Sequence, residues 1–427
     1  MPNCSNCRPR VIADSVAARL LWERRKSRGY GRNPEIAMNR LCAIALVIAL
    51  PLAMDACAQS VQAPAAATPR TMASNAGAMR VETVASGLQH PWSVALLPGG
   101  GFLVTERPGR LRRIDANGRV SPPIAGTPQV FAEGQGGLLD VVLDPRYASN
   151  KRIWLSYAEP GDDGTAGTAV ATATIGAAAL SGLHVVYRQQ PKLVGPNHFG
   201  SRIAFDGHGH VFVSQGERFA YKAYAQDLGK LQGKLVRLNL DGSIPPDNPF
   251  AGREDARPEI WSYGHRNTQG LVVDPRTGRL WESEHGPRGG DEINLPEAGR
   301  NYGWPTVSNG MDYSTNKPYP ETIGTSAPGM ESPYHVWAKS PGLSGMAFYT
   351  GHPGSPWNDS LFLGALAGHD LIRLQLDGDR IVSEERLLGE LGARVRDVRA
   401  GSDGNLYVLT DEDDGRLLRI VPPAAAR

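Results

Sequence analysis

From about residue 80 onward, apolar and polar residues alternate in short runs, and the alternation itself repeats. Each unit opens on an apolar strand and turns through Pro or Asp with Gly. A second apolar strand follows, and a later Arg-apolar-Asp-x-x-Gly strand closes the unit. It reads "WSVALLPGGGFLVTERPGRLRRIDANG" from Trp92 and "LLDVVLDPRYASNKRIWLSYAEP" from Leu138. It returns as "SRIAFDGHGHVFVSQGER" from Ser201, "QGLVVDPRTGRLWESEHG" from Gln269 and "SGMAFYTGHPGSPWNDSLFLGALAGHDLIRLQLDG" from Ser344. The last copy is "VRDVRAGSDGNLYVLTDEDDGRLLRIVPP" from Val395. A period of two between Gly-rich turns predicts strands, and almost nothing carries the 3.6-residue period of a long amphipathic helix. Six copies, roughly 45 to 75 residues apart with about four strands each, predict an all-β chain. The architecture expected is a six-bladed β-propeller with four-stranded antiparallel blades. The last copy holds three clear strands, so "MRVETVASG" from Met79 is expected to supply the fourth and close the ring. A pair of sandwiches would need two separate cores and would not produce the repeat. A propeller leaves a central funnel, and loops at its mouth can build a site.

The pattern changes before residue 80. In "MNRLCAIALVIALPLAMDACAQS", which begins at Met38, Arg40 precedes an apolar run over residues 41–54. About 14 residues suit the core of a signal peptide and are short for a bilayer-spanning helix. Ala56-Cys57-Ala58 has the small-x-small form of a cleavage site; the alternative, a lipid anchor on Cys57, is fitted poorly by Asp55. Residues 1–58 are therefore expected to be a leader and signal peptide, with Met38 as the true start. Residues 59–79, rich in Ala, Pro and Thr, are expected to be a disordered linker, and residues 80–427 the propeller domain. Periplasmic export follows, with no transmembrane helix in the mature protein. All four cysteines (Cys4, Cys7, Cys42, Cys57) fall in the leader. The mature domain then forms no internal disulfide and must draw stability from its core and from bound ions. With 45 Lys and Arg against 43 Asp and Glu, and many arginines crowded into the leader, the chain lacks the signature of a nucleic-acid binder.

Polar and charged groups cluster in four segments at the ends of repeats, where loops reach the funnel mouth. They are "EGQGGLLD" with Gln135, "PNHFGSR" with His198, "YGHRNTQG" with His265, Arg266 and Asn267, and "ARVRDVR" with Arg394 and Arg396. The third continues into "SEHGPRGGDEINL" and "NYGWP". Each has a bland reading. A histidine at a strand edge is usually a hydrogen-bonded structural residue, Arg266-Asn267 could cap a turn, and arginines flanking Val395 would share one solvated face. Asp291 and Glu292 after two glycines would be a solvated turn, although carboxylates and free carbonyls also suit calcium.

Together these motifs, with "GQGGLL", "NHFGSRI", "SEHGPRGGDEINL" and "DGNLYVLTDE", resemble the soluble PQQ-dependent sugar dehydrogenases of the aldose, glucose and sorbosone type. The resemblance spans residues 80–422 in the family's order and spacing, and that family is a six-bladed propeller. It implies PQQ and calcium as cofactors, a sugar as substrate and an unidentified electron acceptor (a cytochrome, quinone or dye). It implies that His198 takes the proton of the anomeric hydroxyl while hydride passes to the quinone. Gln135, Arg266 and Asn267 would contact the cofactor, and Arg394, Val395 and Arg396 would lie along it, with the two arginines on its carboxylates. Ala365, Leu366 and Ala367 would line its edge, with Tyr313 and Trp337 beside the ring. The carbonyls of Gly286 and Pro287 would hold the catalytic calcium, and Glu292 and Tyr302 match positions of a second calcium site. Guanidinium groups suit a tricarboxylate, and a histidine base needs little tuning to work near neutral pH.

Two departures stand out. Where the glucose enzymes carry a lysine that reaches the cofactor, "GALAGHD" offers Ala367, and where they carry an aspartate before the histidine this chain has Asn197. The rival readings are a calcium-dependent six-bladed lactonase or hydrolase, which would gather carboxylates and asparagines in the channel, and a cofactor-free binding propeller, which needs no base.

Overall fold

The computed structural model describes residues 68–424. Six antiparallel sheets follow one another along the chain, one for each sequence copy. Blade three is built from Gly200–Phe205, His210–Gln215, Lys234–Asn239 and Ile260–Tyr263, and blades four and five repeat that plan. In blade one the strands Pro91–Leu96, Phe102–Glu106 and Arg110–Ile114 are regular, and the fourth place is held by single bridges from Val120 to Ile114 and from Ile124 to Leu111. In blade two that place is shared by Leu180–Arg188 and Leu193–Val194, both paired with Thr165–Ile175.

Blade six closes as the sequence predicts: Gly77–Leu88 pairs antiparallel with the C-terminal strand Gly415–Val421. The linker expectation is corrected at this point. Residues 70–79 are not a linker, because Arg70–Ser74 forms a hairpin with Gly77–Leu88 and adds a fifth strand to blade six. Met72 and Met79 drive it, burying their side chains against Tyr349, Trp357 and Leu418 despite the small-residue composition around them. The leader, the signal peptide, Cys57 and residues 59–67 lie outside the described residues. Among the described residues no helix is long and apolar enough to cross a membrane.

Strand burial falls from the axis outward. The innermost strand Leu343–Phe348 is buried throughout, whereas the outermost Arg380–Leu387 is mostly exposed. Each seam between neighbouring blades holds its own apolar cluster. Leu103 and Leu111 meet Val141 and Leu155 between blades one and two, and Trp154 meets Ile203 and Val213 between two and three. Phe212 meets Leu271 between three and four, Trp281 meets Met346 between four and five, and Phe362 meets Val398 between five and six. Val94 and Val104 meet Leu409 and Leu417 across the closing seam. This is why alternating apolar residues on both faces of each blade specify a ring: both faces are covered by the next blade.

One irregularity recurs in all six innermost strands. The pairing register shifts near the strand's first residues: at Pro91/Ser93, Leu138/Val141, Gly200/Ile203, Thr268/Gly270, Leu343/Met346 and Val395/Asp397. A bulge there twists the strand head and re-aims its side chains. Trp92, Leu139, Gln269 and Arg396 all sit at these heads and face one cleft. Deeper in the channel, Arg202 and Arg399 are paired with Asp140 and Asp397, with N···O distances of 3.0 to 3.5 Å.

Candidate functional site

The cleft at the strand heads has a volume of about 360 Å³. Gln135, Leu366, Ala367, Arg394 and Arg396 line it, as expected from sequence. So do Arg107, Phe199, His285 and Asp411, which sequence reasoning did not single out. Arg394 and Arg396 reach the cleft while Val395 between them is buried in the seam core, so alternation along the strand divides their roles. Ala365 is buried at the end of Ser360–Ala365, directly before the lining residues.

His198 is 4% exposed and sits at φ 56°, the left-handed region, just before Gly200–Phe205. Such a conformation is uncommon for a residue with a Cβ and marks a position held by its surroundings. Those surroundings are specific. Gln135 Oε1 accepts the His198 N–H at 2.9 Å. A Cβ on Gly216 would lie 2.1 Å from the His198 carbonyl, so only glycine fits there. The ring Nδ1 lies 3.0 Å from Glu217 Oε2, and the Phe219 ring packs edge-on at 5.2 Å. A carboxylate at Nδ1 makes that nitrogen the donor and leaves Nε2 with a free lone pair. Burial lowers the His198 pKa below its ordinary value, against the upward pull of Glu217. Burial works to raise the Glu217 carboxyl, but His198 and Arg266 outweigh it and hold it ionised. The imidazole is thus neutral near pH 7, with Nε2 its unprotonated nitrogen. Glu217 was missed because "SQGER" reads as the end of a strand; its partner lies 19 residues away.

Arg266 is buried, and its Nη1 donates to the carbonyls of His285 (2.9 Å) and Gly286 (2.7 Å). Its guanidinium lies 5.1 Å over the Trp304 ring, and its Nε has no partner. Asn267 Oδ1 accepts the Gly200 N–H at 3.2 Å, tying blade four to the His198 strand. His285 donates from Nε2 to the Leu343 carbonyl at 2.5 Å, and burial pushes its pKa down to about 4, so it stays neutral.

Gly286, Pro287, Glu292 and Tyr302 come together around a small cavity of about 20 Å³, beside Arg266 and Glu284. Behind it lies an acidic cluster. Asn294 Nδ2 donates to Glu282 and Glu284 at 3.3 Å and to Glu292 at 3.1 Å. His265 Nδ1 lies 2.6 Å from Glu282, and Tyr302 stacks on its ring at 4.8 Å. Burial would lower the His265 pKa, but the two glutamates raise it to about 10. Loss of water and the neighbouring Glu284 push Glu292 well above its ordinary value. The Tyr302 hydroxyl donates to the Leu295 carbonyl at 2.7 Å and accepts the Glu297 N–H at 3.0 Å.

Not every expected residue lines the cleft: His198 and Asn267 lie behind its wall, which Phe199 and Gly200 form, Arg266 borders the small cavity instead, and Trp337 and Tyr313 are placed elsewhere. Trp337 is buried in blade four with Nε1 donating to Glu384 at 2.9 Å. Tyr313 is 49% exposed on the long connection inside blade four.

The family model for glucose/sorbosone dehydrogenases matches residues 88–419. The chain is 50% identical over 347 residues to the aldose sugar dehydrogenase YliI of Escherichia coli (strain K12), covering 81% of this chain and 93% of that one. The crystal structure of the soluble aldose sugar dehydrogenase from Escherichia coli in the apo-form has a TM-score of 0.78 at 50% identity, covering 81% of this chain and 100% of the other. The PQQ-bound form of the Streptomyces coelicolor aldose sugar dehydrogenase has a TM-score of 0.67 at 31% identity, covering 79% and 96%.

Proposed function

The chain belongs to the glucose/sorbosone dehydrogenase family, and from that premise we propose that it is a PQQ- and calcium-dependent enzyme that oxidises aldose sugars at the anomeric carbon to lactones. The observation that carries the reading is His198, a neutral histidine oriented by a buried carboxylate, with the following residues Phe199 and Gly200 on the wall of an arginine-lined cleft. The relatives named above as aldose sugar dehydrogenases, one of them PQQ-bound, support it.

The residues fit the cofactor. The cleft gathers Arg107, Arg394 and Arg396 against one aspartate, and the Nε atoms of Arg107, Arg396 and nearby Arg266 are buried without partners. Orphaned charged donors call for an anionic ligand. Arg394 and Arg396 would take carboxylates, and Gln135, Leu366 and Ala367 would border the cofactor. The small cavity suits a calcium ion: Gly286 and Pro287 border it with Glu284 and Glu292, and their carbonyls would hold the ion if the Gly286 carbonyl were released by Arg266.

When bound, PQQ supplies an electrophilic quinone that accepts hydride. The chain does the rest. His198 Nε2 takes the proton from the anomeric hydroxyl, and Glu217 stabilises the imidazolium that forms. Arg266, fixed by two carbonyls and a tryptophan face, holds positive charge where negative charge grows. A calcium-dependent hydrolase is disfavoured because the cleft is lined by arginines rather than carboxylates. Export to the periplasm, expected from the leader, accords with a sugar substrate met outside the cytoplasm.

Dye-linked aldose oxidation by apo-protein tests the reading. Activity is expected only when PQQ and Ca²⁺ are both added; equal turnover without PQQ would remove the proposal. A second measurement isolates the base. Glu217→Gln removes the carboxylate that raises His198, so the acid limb of kcat/KM moves to lower pH. The rate falls about 10- to 100-fold, the worth of a hydrogen bond to a charged group. An unmoved acid limb would show that Glu217 does not act on the base.

A further inference from the structure

We propose that Arg107 is a third arginine of the cofactor cradle, receiving a carboxylate of the anionic cofactor together with Arg394 and Arg396 and supplying the positive charge that Ala367 does not. The inference rests on the PQQ reading and deepens it.

Arg107 stands just past Phe102–Glu106 in blade one, which adjoins blade six, where Arg394 and Arg396 stand at the head of Val395–Ala400. All three line the same cleft as Ala367. The Arg107 backbone is fixed on both sides. Its N–H donates to the His90 carbonyl at 3.1 Å, and its carbonyl accepts the Leu138 N–H at 3.1 Å. A Cβ on Gly137, at φ 135°, would meet that carbonyl at 2.1 Å, so a glycine is required for this approach. The side chain is fixed where Nη1 donates to the Gly134 carbonyl, while Nη2 stands 3.8 Å from Asp411 and Nε is buried without a partner.

Charge counting points the same way. Among the described residues the acid within reach of Arg107 is Asp411, at 3.8 Å. Asp411 is already committed to Arg396 at 2.7 Å and to His90 at 3.0 Å, and Arg394 approaches it at 3.7 Å. Three guanidiniums against one carboxylate leave a net charge of +2 in the cleft. The layer beneath differs: Arg202 and Arg399 face Asp140 and Asp397, two against two, and the charge is zero. The surplus is therefore local to the cleft. A lone arginine 20% exposed and without its own counter-ion is costly to keep unless a ligand supplies the anion. PQQ carries three carboxylates, so Asp411 alone need not balance the three arginines once it is bound. Burial and the neighbouring Arg394 and Arg396 already lower the Arg107 pKa, which an incoming carboxylate would reverse.

The test is PQQ titration of the apo-protein by fluorescence quenching, with a melting curve for each variant. Arg107→Gln keeps a donor for the Gly134 carbonyl and removes the charge. It is expected to weaken PQQ binding about 10- to 100-fold, the loss of one charge-assisted hydrogen bond, with an unchanged melting temperature. Adding Ala367→Lys to this variant is expected to recover part of the loss. In the unsubstituted protein, Ala367→Lys should tighten binding less than about tenfold, because residue 367 is exposed and an exposed pair contributes about 0 to 1 kcal/mol. Arg107→Gln binding within about twofold of the unsubstituted protein would overturn the inference and leave the PQQ reading standing. Absence of saturable binding by the unsubstituted protein would overturn the PQQ reading, and the inference with it.

Discussion

Replacing His198 by alanine or glutamine is expected to slow sugar oxidation about 10²–10⁴-fold, the contribution of a positioned general base, with PQQ affinity nearly unchanged. The separation follows from the geometry. His198 is held by Gln135, Glu217 and Phe219, whereas the cleft's positive charge comes from Arg107, Arg394 and Arg396 on other blades. Arg266→Ala should differ by lowering affinity and rate together, because that guanidinium borders both the cavity and the base. A histidine with only a structural role predicts another pattern: a lower melting temperature and a folded fraction that turns over normally. Single-turnover cofactor reduction beside the melting curve distinguishes them. Wild-type reduction by folded His198→Ala protein would refute the base.

Removal of calcium is expected to have an effect of similar size. Excess chelator, given time for slow release, should bring dye-linked activity to background, and added Ca²⁺ should restore it. The structure supplies a second readout. Glu282, Glu284 and Glu292 meet at the Asn294 amide, and the cation paired with them, His265, reaches only Glu282 and Glu284, so three carboxyl groups face one positive charge. An ion that binds only the folded chain raises its melting temperature by mass action. Loss of activity should therefore accompany a lower melting temperature, and Glu292→Gln should shrink the shift. Full activity and an unmoved melting temperature in chelator would remove the calcium assignment.

The blades and their closure were legible because they depend on local alternation and on turns, which repeat. What stayed hidden depends on contacts between distant segments. The sequence "TERPGR" reads as strand and turn, and nothing local reveals that Arg107 faces Arg394, Arg396 and Asp411 across the closing seam. Glu217 looks like a strand terminus until His198 is folded against it. The strand Arg70–Ser74 was missed because small residues and a proline mask two methionines that reach the blade six core. Trp337 shows the reverse: it sits in a matching motif, yet in the fold its Nε1 donates across to Glu384 on the outer strand of blade five.

The join between Gly77–Leu88 and Gly415–Val421 also governs how this chain can acquire its fold. Glu82 and Arg419, paired there at 2.6 Å, lie 337 residues apart in sequence. Bringing such distant segments together costs loop entropy before any contact repays it. Five blades can assemble from their own hairpins, but the sixth must wait for Gly77–Leu88 and Gly415–Val421 to meet. Until then Gly415–Val421 presents an open strand edge, the kind of surface through which chains aggregate. The N-terminal segment thus acts as the chain's own protection against self-association, and a molecule shortened by those twelve residues would fold its hairpins yet remain prone to stick to its copies.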